Sequence, residues 1–278
     1  MKRLLLLSAL LLLSACGEEA PVNVSGKTAD ASSPHETQTV KATVMHFREA
    51  EPGIEPYTSR MIVTPDFLRM DEGRDEGDYL LYDRRTRGIH SVTHEDRTVL
   101  DIPFHEVGIT PPYALERVKK QSVDEAAPTV GGRKPVQQKD FVNARLCMET
   151  VSAPGLLDDA RKALREYREA LAGEQARNLY KTPKELQDPC MLSNLIFHPG
   201  KGLEEGFPLY ERNEAGATRE LLDFERDKAV STALFELPKG YRHYQIQVQP
   251  GKEAPVQASE TPEAKEAGAP APAPAPSK

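Results

Sequence analysis

Apolar and polar residues alternate with a period of two where the chain first becomes rich in large apolar side chains. Val40, Ala42 and Val44 alternate with Thr39, Lys41 and Thr43, the pattern of a strand with one face toward a core. The punctuated stretch from Glu51-Pro52-Gly53 to Pro56 turns the chain. Strand-like runs then occupy 57–64, 67–71, 78–83, 88–93 and 97–102. Between them stand Pro65-Asp66, Glu72-Gly73, Glu76-Gly77, 84–87 and 94–96, which read as tight turns. Short strands at this spacing predict an antiparallel meander, and their polar partners predict a sheet with one wet face.

The period changes further on. Residues 103–139 carry Pro103, Pro111-Pro112, Pro128, Gly131-Gly132 and Pro135, and no element is assigned there. A strand is expected over 141–151, carrying Cys147. Leu156, Leu157, Ala160, Ala163, Leu164, Tyr167, Ala170 and Leu171 then recur at three and four residues. Charged residues fill the opposite side, so this is an amphipathic helix expected to cover the dry face of the sheet. A second helix is expected from Thr182, with Pro183 at its first position, through Cys190 toward Phe197. Closing strands are expected at 207–212, 218–226 and 241–248, with a short one near 229–235 and a hairpin turn at 213–216. The pattern predicts a mainly β (α+β) fold: a curved antiparallel sheet or half-barrel with one or two helices covering one face.

The two ends of the chain follow other rules. Lys2 and Arg3 precede an apolar run from Leu4 to Leu13, eight of whose ten residues are leucine, and small Ser14 and Ala15 come next. That is the order of an export signal, and the run is too short for the roughly 20 residues a spanning helix needs. Leu13-Ser14-Ala15-Cys16 resembles the lipobox of bacterial lipoproteins. The resemblance implies cleavage between Ala15 and Cys16, a diacylglyceryl group on Cys16, and acylation of the new terminus. Each buried methylene contributes about 0.8 kcal/mol, so two or three chains hold far more firmly than one. Gly17 stands where an aspartate would resemble the inner-membrane retention signal, which implies the outer membrane, on its periplasmic side. The organisation expected is a signal at 1–15, a lipidated flexible tether at 16–38, one β-rich domain at 39–249 and a tail at 250–278. The tail holds seven prolines, eight alanines and no aromatic residue, a composition that favours an extended, disordered chain.

Charge and cysteines narrow the chemistry. Without Lys2 and Arg3, 34 basic residues face 43 acidic ones, and no basic stripe with interleaved aromatics is present. Nucleic acid is therefore not an expected partner. Cys147 and Cys190 are the cysteines left after Cys16. In an oxidising compartment such a pair is expected to be bridged, the alternative being two separately buried thiols. No Cys-x-x-Cys sets two thiols side by side for redox work.

Catalytic patterns are not found: no phosphate-cradling glycine loop, no Gly-x-Ser-x-Gly and no His-Glu-x-x-His. His90 and His94 would stand on one face of a helix, but on a strand they lie roughly 13 Å apart, so they read as surface histidines. Asp71-Glu72 with Asp75, Glu76 and Asp78 lack the ligand spacing of a calcium loop and read as a charged hairpin turn. No enzyme activity, metal or cofactor is expected.

The run Leu234-Phe235-Glu236-Leu237-Pro238-Lys239-Gly240-Tyr241 looks like the closing segment of envelope proteins with a LolA- or LolB-like half-barrel, and 60–71 with 78–101 is similar to their early hairpins. The resemblance implies a concave sheet face that packs helices and accepts acyl chains. Two functions are expected from these readings. The first is a membrane-tethered binding module for a lipid-like or hydrophobic ligand. The alternative is a structural or assembly partner of another envelope protein, with a filled interior.

Overall fold

The computed structural model describes residues 38–246. The signal, Cys16, nearly all of the expected tether and the whole tail lie outside the described residues. The first alternating stretch forms β1 (Thr39–Ala50). The meander forms β2 (Tyr57–Val63), β3 (Phe67–Asp71), β4 (Tyr79–Asp83), β5 (Gly88–Thr93) and β6 (Thr98–Ile102). Then come β7 (Arg117–Val123), β8 (Val136–Val142), β9 (Arg145–Ala153) and the helix α1 (Asp158–Asn178). The described chain closes with β10 (Phe207–Asn213), β11 (Thr218–Ser231) and β12 (Arg242–Tyr244).

All these strands join one open 12-stranded sheet in the order β12-β6-β5-β4-β3-β2-β1-β11-β10-β9-β8-β7. Its pairs are antiparallel except β12, which runs parallel to β6. Mid-sheet, the register of β1 against β11 shifts between Ala42 and Val44 and again between His46 and Phe47. Such bulges bend a strand and raise its twist, which curves a sheet this wide. The fold is mainly β with a curved antiparallel sheet and one long helix, as the pattern predicts.

Four local expectations are corrected. The strand expected over 141–151 is two strands, because Asn143 and Ala144 both take positive φ (49° and 63°). That is the conformation of a two-residue hairpin turn matched to strand twist. Asn143 is further held by accepting from the Glu116 N–H at 2.8 Å and donating to the Ala114 carbonyl at 3.0 Å. The stretch with no assigned element contains β7 and most of β8. The helix expected from Thr182 breaks into short turns at Leu179–Lys181, Lys184–Leu186 and Pro189–Met191, then a wide turn at Leu192–Phe197. Pro189, inside the expected span, supplies no N–H, so no continuous ladder can cross it. Finally, the strand expected over 229–235 is the end of β11 followed by a tight turn, Thr232–Phe235.

That last turn also overturns the wet face. Over β1–β6 both faces of the sheet are buried. One face meets α1: Met45, Phe47, Met61, Leu68, Tyr82 and Ile89 pack with Leu157, Ala160, Ala163 and Leu164. On the other, Val44, Ile62, Leu81, Val92 and Val99 pack with Phe235, flanked by Leu234, Leu237 and Tyr241. The polar residues that alternate along these strands are in part buried too, and they find partners inside. Arg69, 2% exposed, donates to Asp71 at 2.7 Å and to the Leu234 carbonyl at 2.7 Å.

The helix is tied at several points. Leu157 precedes it in a left-handed conformation without a side-chain cap, and Asp158 and Asp159 complement the positive helix end. Thr43 donates to Asp159 at 2.8 Å, Arg84 pairs with Glu166 at 2.7 Å, and Arg168 pairs with Glu211 at 3.0 Å. Cys147 of β9 is bonded to Cys190 in the broken helical segment, their Cα atoms 5.1 Å apart. The disulfide therefore ties a helical turn to a strand, as the sequence led us to expect. Every packed cluster and the disulfide fall within the described residues.

Candidate functional site

Beneath the N-terminal half of α1 the space is filled by side chains. Toward its C-terminal half a cleft of about 610 Å³ lies between three walls. One wall is the helix, at Arg165, Glu169 and Ala172; the second is residues 104–109, which leave the sheet after β6; the third is residues 196–201 with Glu204.

The second wall depends on one glycine. A Cβ on Gly173 would stand 1.9 Å from the His105 carbonyl oxygen and 2.7 Å from its carbon. Glycine inside a helix costs roughly 0.5–1 kcal/mol relative to alanine. Here it lets the backbone of 104–109 lie directly on α1. Arg177, one turn on, donates to His105 Nε2. The third wall makes a similar approach, with a Gly200 Cβ placed 3.0 Å from Arg165 Cγ.

The cleft combines apolar groups with cationic and acidic ones, the acidic residues being Glu106, Glu169 and Glu204. Phe104, Val107, Ile196, Phe197 and Pro199 present apolar surface. Arg87 lays its guanidinium over the Phe104 ring, 3.4 Å from the centroid. Arg165 and Lys201 complete the cationic groups, and Lys201 is paired with Glu204 at 2.6 Å. His198 accepts or donates at Nδ1 with buried Ser193 at 3.3 Å. Burial, reinforced by the charges of Arg117 and Lys201, pushes His198 below the ordinary imidazole range.

His198 and Pro199 also line a smaller, more enclosed pocket of about 210 Å³. Met148, Leu171 and Leu195 make it mainly apolar, and Asp140 and the Arg168–Glu211 pair stand at its polar end. Burial pushes Asp140 above the ordinary carboxylate range, although Gln138 donates to it and Arg117 lies 3.6 Å away.

The candidates raised by the sequence lie elsewhere. Cys16 and Ala15 fall outside the described residues. Cys147 and Cys190 are bonded to each other, away from the cleft. Asp188, Cys190 and Glu214 bring potential metal donors together, but the Cys190 sulfur is committed to the disulfide. His90 and Asp101 pair at 2.6 Å, while His94 bonds the Tyr241 hydroxyl at 2.7 Å. Asp71 is buried and held by Arg60 and Arg69, with Asp75 also on Arg60. The residues of the cleft carried no sequence signal: Arg87, Arg165 and Phe197 are far apart in the chain and belong to no motif. Among the described residues no helix is long and apolar enough to cross a membrane.

No family model and no curated protein matches the chain. Among solved structures it is similar to an uncharacterized conserved protein from Thermus thermophilus, at 9% identity and a TM-score of 0.38, over 73% of this chain and 90% of that one. It is also similar to PNGF-II in two crystal forms, at 10% and 8% identity, with TM-scores of 0.38 and 0.37. There it covers 74% of this chain and only 31% or 32% of PNGF-II.

Proposed function

We propose that this chain is an exported bacterial lipoprotein, anchored through acyl chains on Cys16, whose domain binds a lipid-like or hydrophobic ligand without catalysis. The single observation that carries the binding half is the cleft beside α1, which sets Phe104, Val107 and Phe197 against cationic side chains at a place the core does not fill. Ligand sites are concave, largely apolar, and marked by a few placed polar groups. The anchoring half is supported by Lys2-Arg3, the leucine run and Leu13-Ser14-Ala15-Cys16. The disulfide suits an oxidising compartment. Gly17 supports the outer membrane, periplasmic side, as the address.

Two measurements test the two halves. Radiolabelled palmitate should enter the wild-type protein and not Cys16→Ala, and globomycin should block processing; equal labelling of both proteins would refute the anchor. Native mass spectrometry of the chain from Gly17, which keeps every described residue, should show a retained hydrophobic molecule or uptake of a fluorescent fatty acid. Bare protein that takes up nothing would refute the binding module.

The second reading, an assembly partner, rests on β7. It forms one edge of the sheet, and six of its seven residues are exposed, Val118 and Val123 among them. An unpaired edge is a template for another strand. A cross-link from β7 to a defined envelope protein, with an empty cleft, would favour it.

A further inference from the structure

We infer that the occupant of the cleft is a single-chain acidic amphiphile, whose carboxylate or phosphate is held by Arg87 and Arg165 while its alkyl chain lies on Phe104, Val107, Ile196 and Phe197. The inference rests on the binding reading above and names the ligand's chemistry.

The argument starts from charge. Many described Lys and Arg side chains have no carboxylate neighbour, but apart from Arg87 and Arg165 these are exposed. Arg60, Arg69, Arg84 and Arg168 each hold one within 3.0 Å. Arg87 and Arg165 do not. Among the described residues neither lies within ion-pair distance of an acidic group, yet both are half-buried and line the same cleft. Glu106, Glu169 and Glu204 also border it, but all three are exposed, and Glu204 is paired with Lys201. Water screens exposed charges far more than half-buried ones.

Geometry then favours an anion over a neutral head. Arg87 lies over the Phe104 ring, its Cζ 3.4 Å from the centroid. Stacking uses the face of a guanidinium and leaves in-plane N–H donors for an oxyanion. Arg165 passes close to Gly200, where a Cβ would stand 3.0 Å from its Cγ and 3.4 Å from its Cδ, and the residue lines the cleft. The apolar residues lie beside these two heads, which gives a head-to-tail direction. Charge complementarity and an adjoining apolar floor together describe an amphiphile.

The test uses the Gly17–Lys278 chain and isothermal titration with decanoate, decyl phosphate and decanol. Decanoate and decyl phosphate are expected to bind at least about tenfold tighter than decanol, a difference of about 1.4 kcal/mol. Arg87→Gln and Arg165→Gln should each remove most of that preference, Arg165→Lys should restore part of it, and decanol binding should stay unchanged. The order of decanoate and decyl phosphate tells a carboxylate head from a phosphate one. Decanol binding as tightly as decanoate, with both glutamine variants silent, would overturn the acidic head while leaving the hydrophobic site standing. Failure of all three compounds to bind a folded, disulfide-intact chain would overturn both.

Discussion

Two buried aspartates, one in each half of the same sheet, meet opposite fates. Asp71 ends β3 in the half covered on both faces. Burial alone would raise its pKa, but hydrogen bonds from Arg60, Arg69 and the Gly73 N–H together outweigh burial and hold it below the ordinary range. Asp140 lies in β8, at the polar end of the small pocket. Burial raises it, and one bond from Gln138 with Arg117 at 3.6 Å does not compensate. Near it, Gln138 Oε1, Thr150 Oγ1 and Ser152 Oγ are buried without a protein partner. The first half surrounds its buried carboxylate with donors. The second leaves several buried polar atoms without partners, Arg117 Nε among them, and of these residues Asp140 alone lines the small pocket. Unsatisfied buried polar groups cost stability, and structures keep them where a site needs them.

The comparison can be broken most severely at Arg69. Arg69→Met removes the donor to Asp71 and to the Leu234 and Asp75 carbonyls together, so it should cost about 3–5 kcal/mol, read as a fall in the urea midpoint. In the other half the disulfide is the main fastening, across a sequence separation of 43 residues. Cys147→Ala with Cys190→Ala should cost about 2–4 kcal/mol by the same measurement. It should also raise hydrogen exchange in the 189–197 segment before β1–β6 responds.

Gly173→Ala comes next. By helix propensity alone it would stabilise by about 1 kcal/mol, but the clash with His105 should turn that into a net loss of about 1–3 kcal/mol. Amide exchange in 104–109 should rise with it. A more stable variant with unchanged exchange would show that segment is not seated on the helix.

The smallest effects are the most diagnostic of the contrast. Asp71 contributes stability above the ordinary carboxylate range and loses it as pH falls through its lowered folded value, so Asp71→Asn should flatten acid unfolding. Asp140 has the opposite sign. Its raised folded pKa makes the charged form a burden once pH climbs through the ordinary carboxylate value, and acid relieves it. Asp140→Asn should therefore change stability at pH 7 by less than about 1 kcal/mol while removing that opposing slope. Matching pH profiles for the two variants would erase the distinction between the halves.

Much of this molecule follows from short-range pattern alone. Alternation located β1, short strand-like runs between turn residues located β2 to β6, and the three-four repeat located α1. The compartment argument anticipated the Cys147–Cys190 bond without knowing the fold. Where prediction failed, local preference met a competing rule: Asn143-Ala144 turned one expected strand into a hairpin, and Pro189 broke a helix. What the tertiary structure alone decided is which polar residues are buried and what they face. Arg69 and Arg165 look alike in sequence, as do Asp71 and Asp140. One arginine is locked in a filled half and the other lines an open cleft, because burial and pairing depend on residues distant in the chain that only folding brings together.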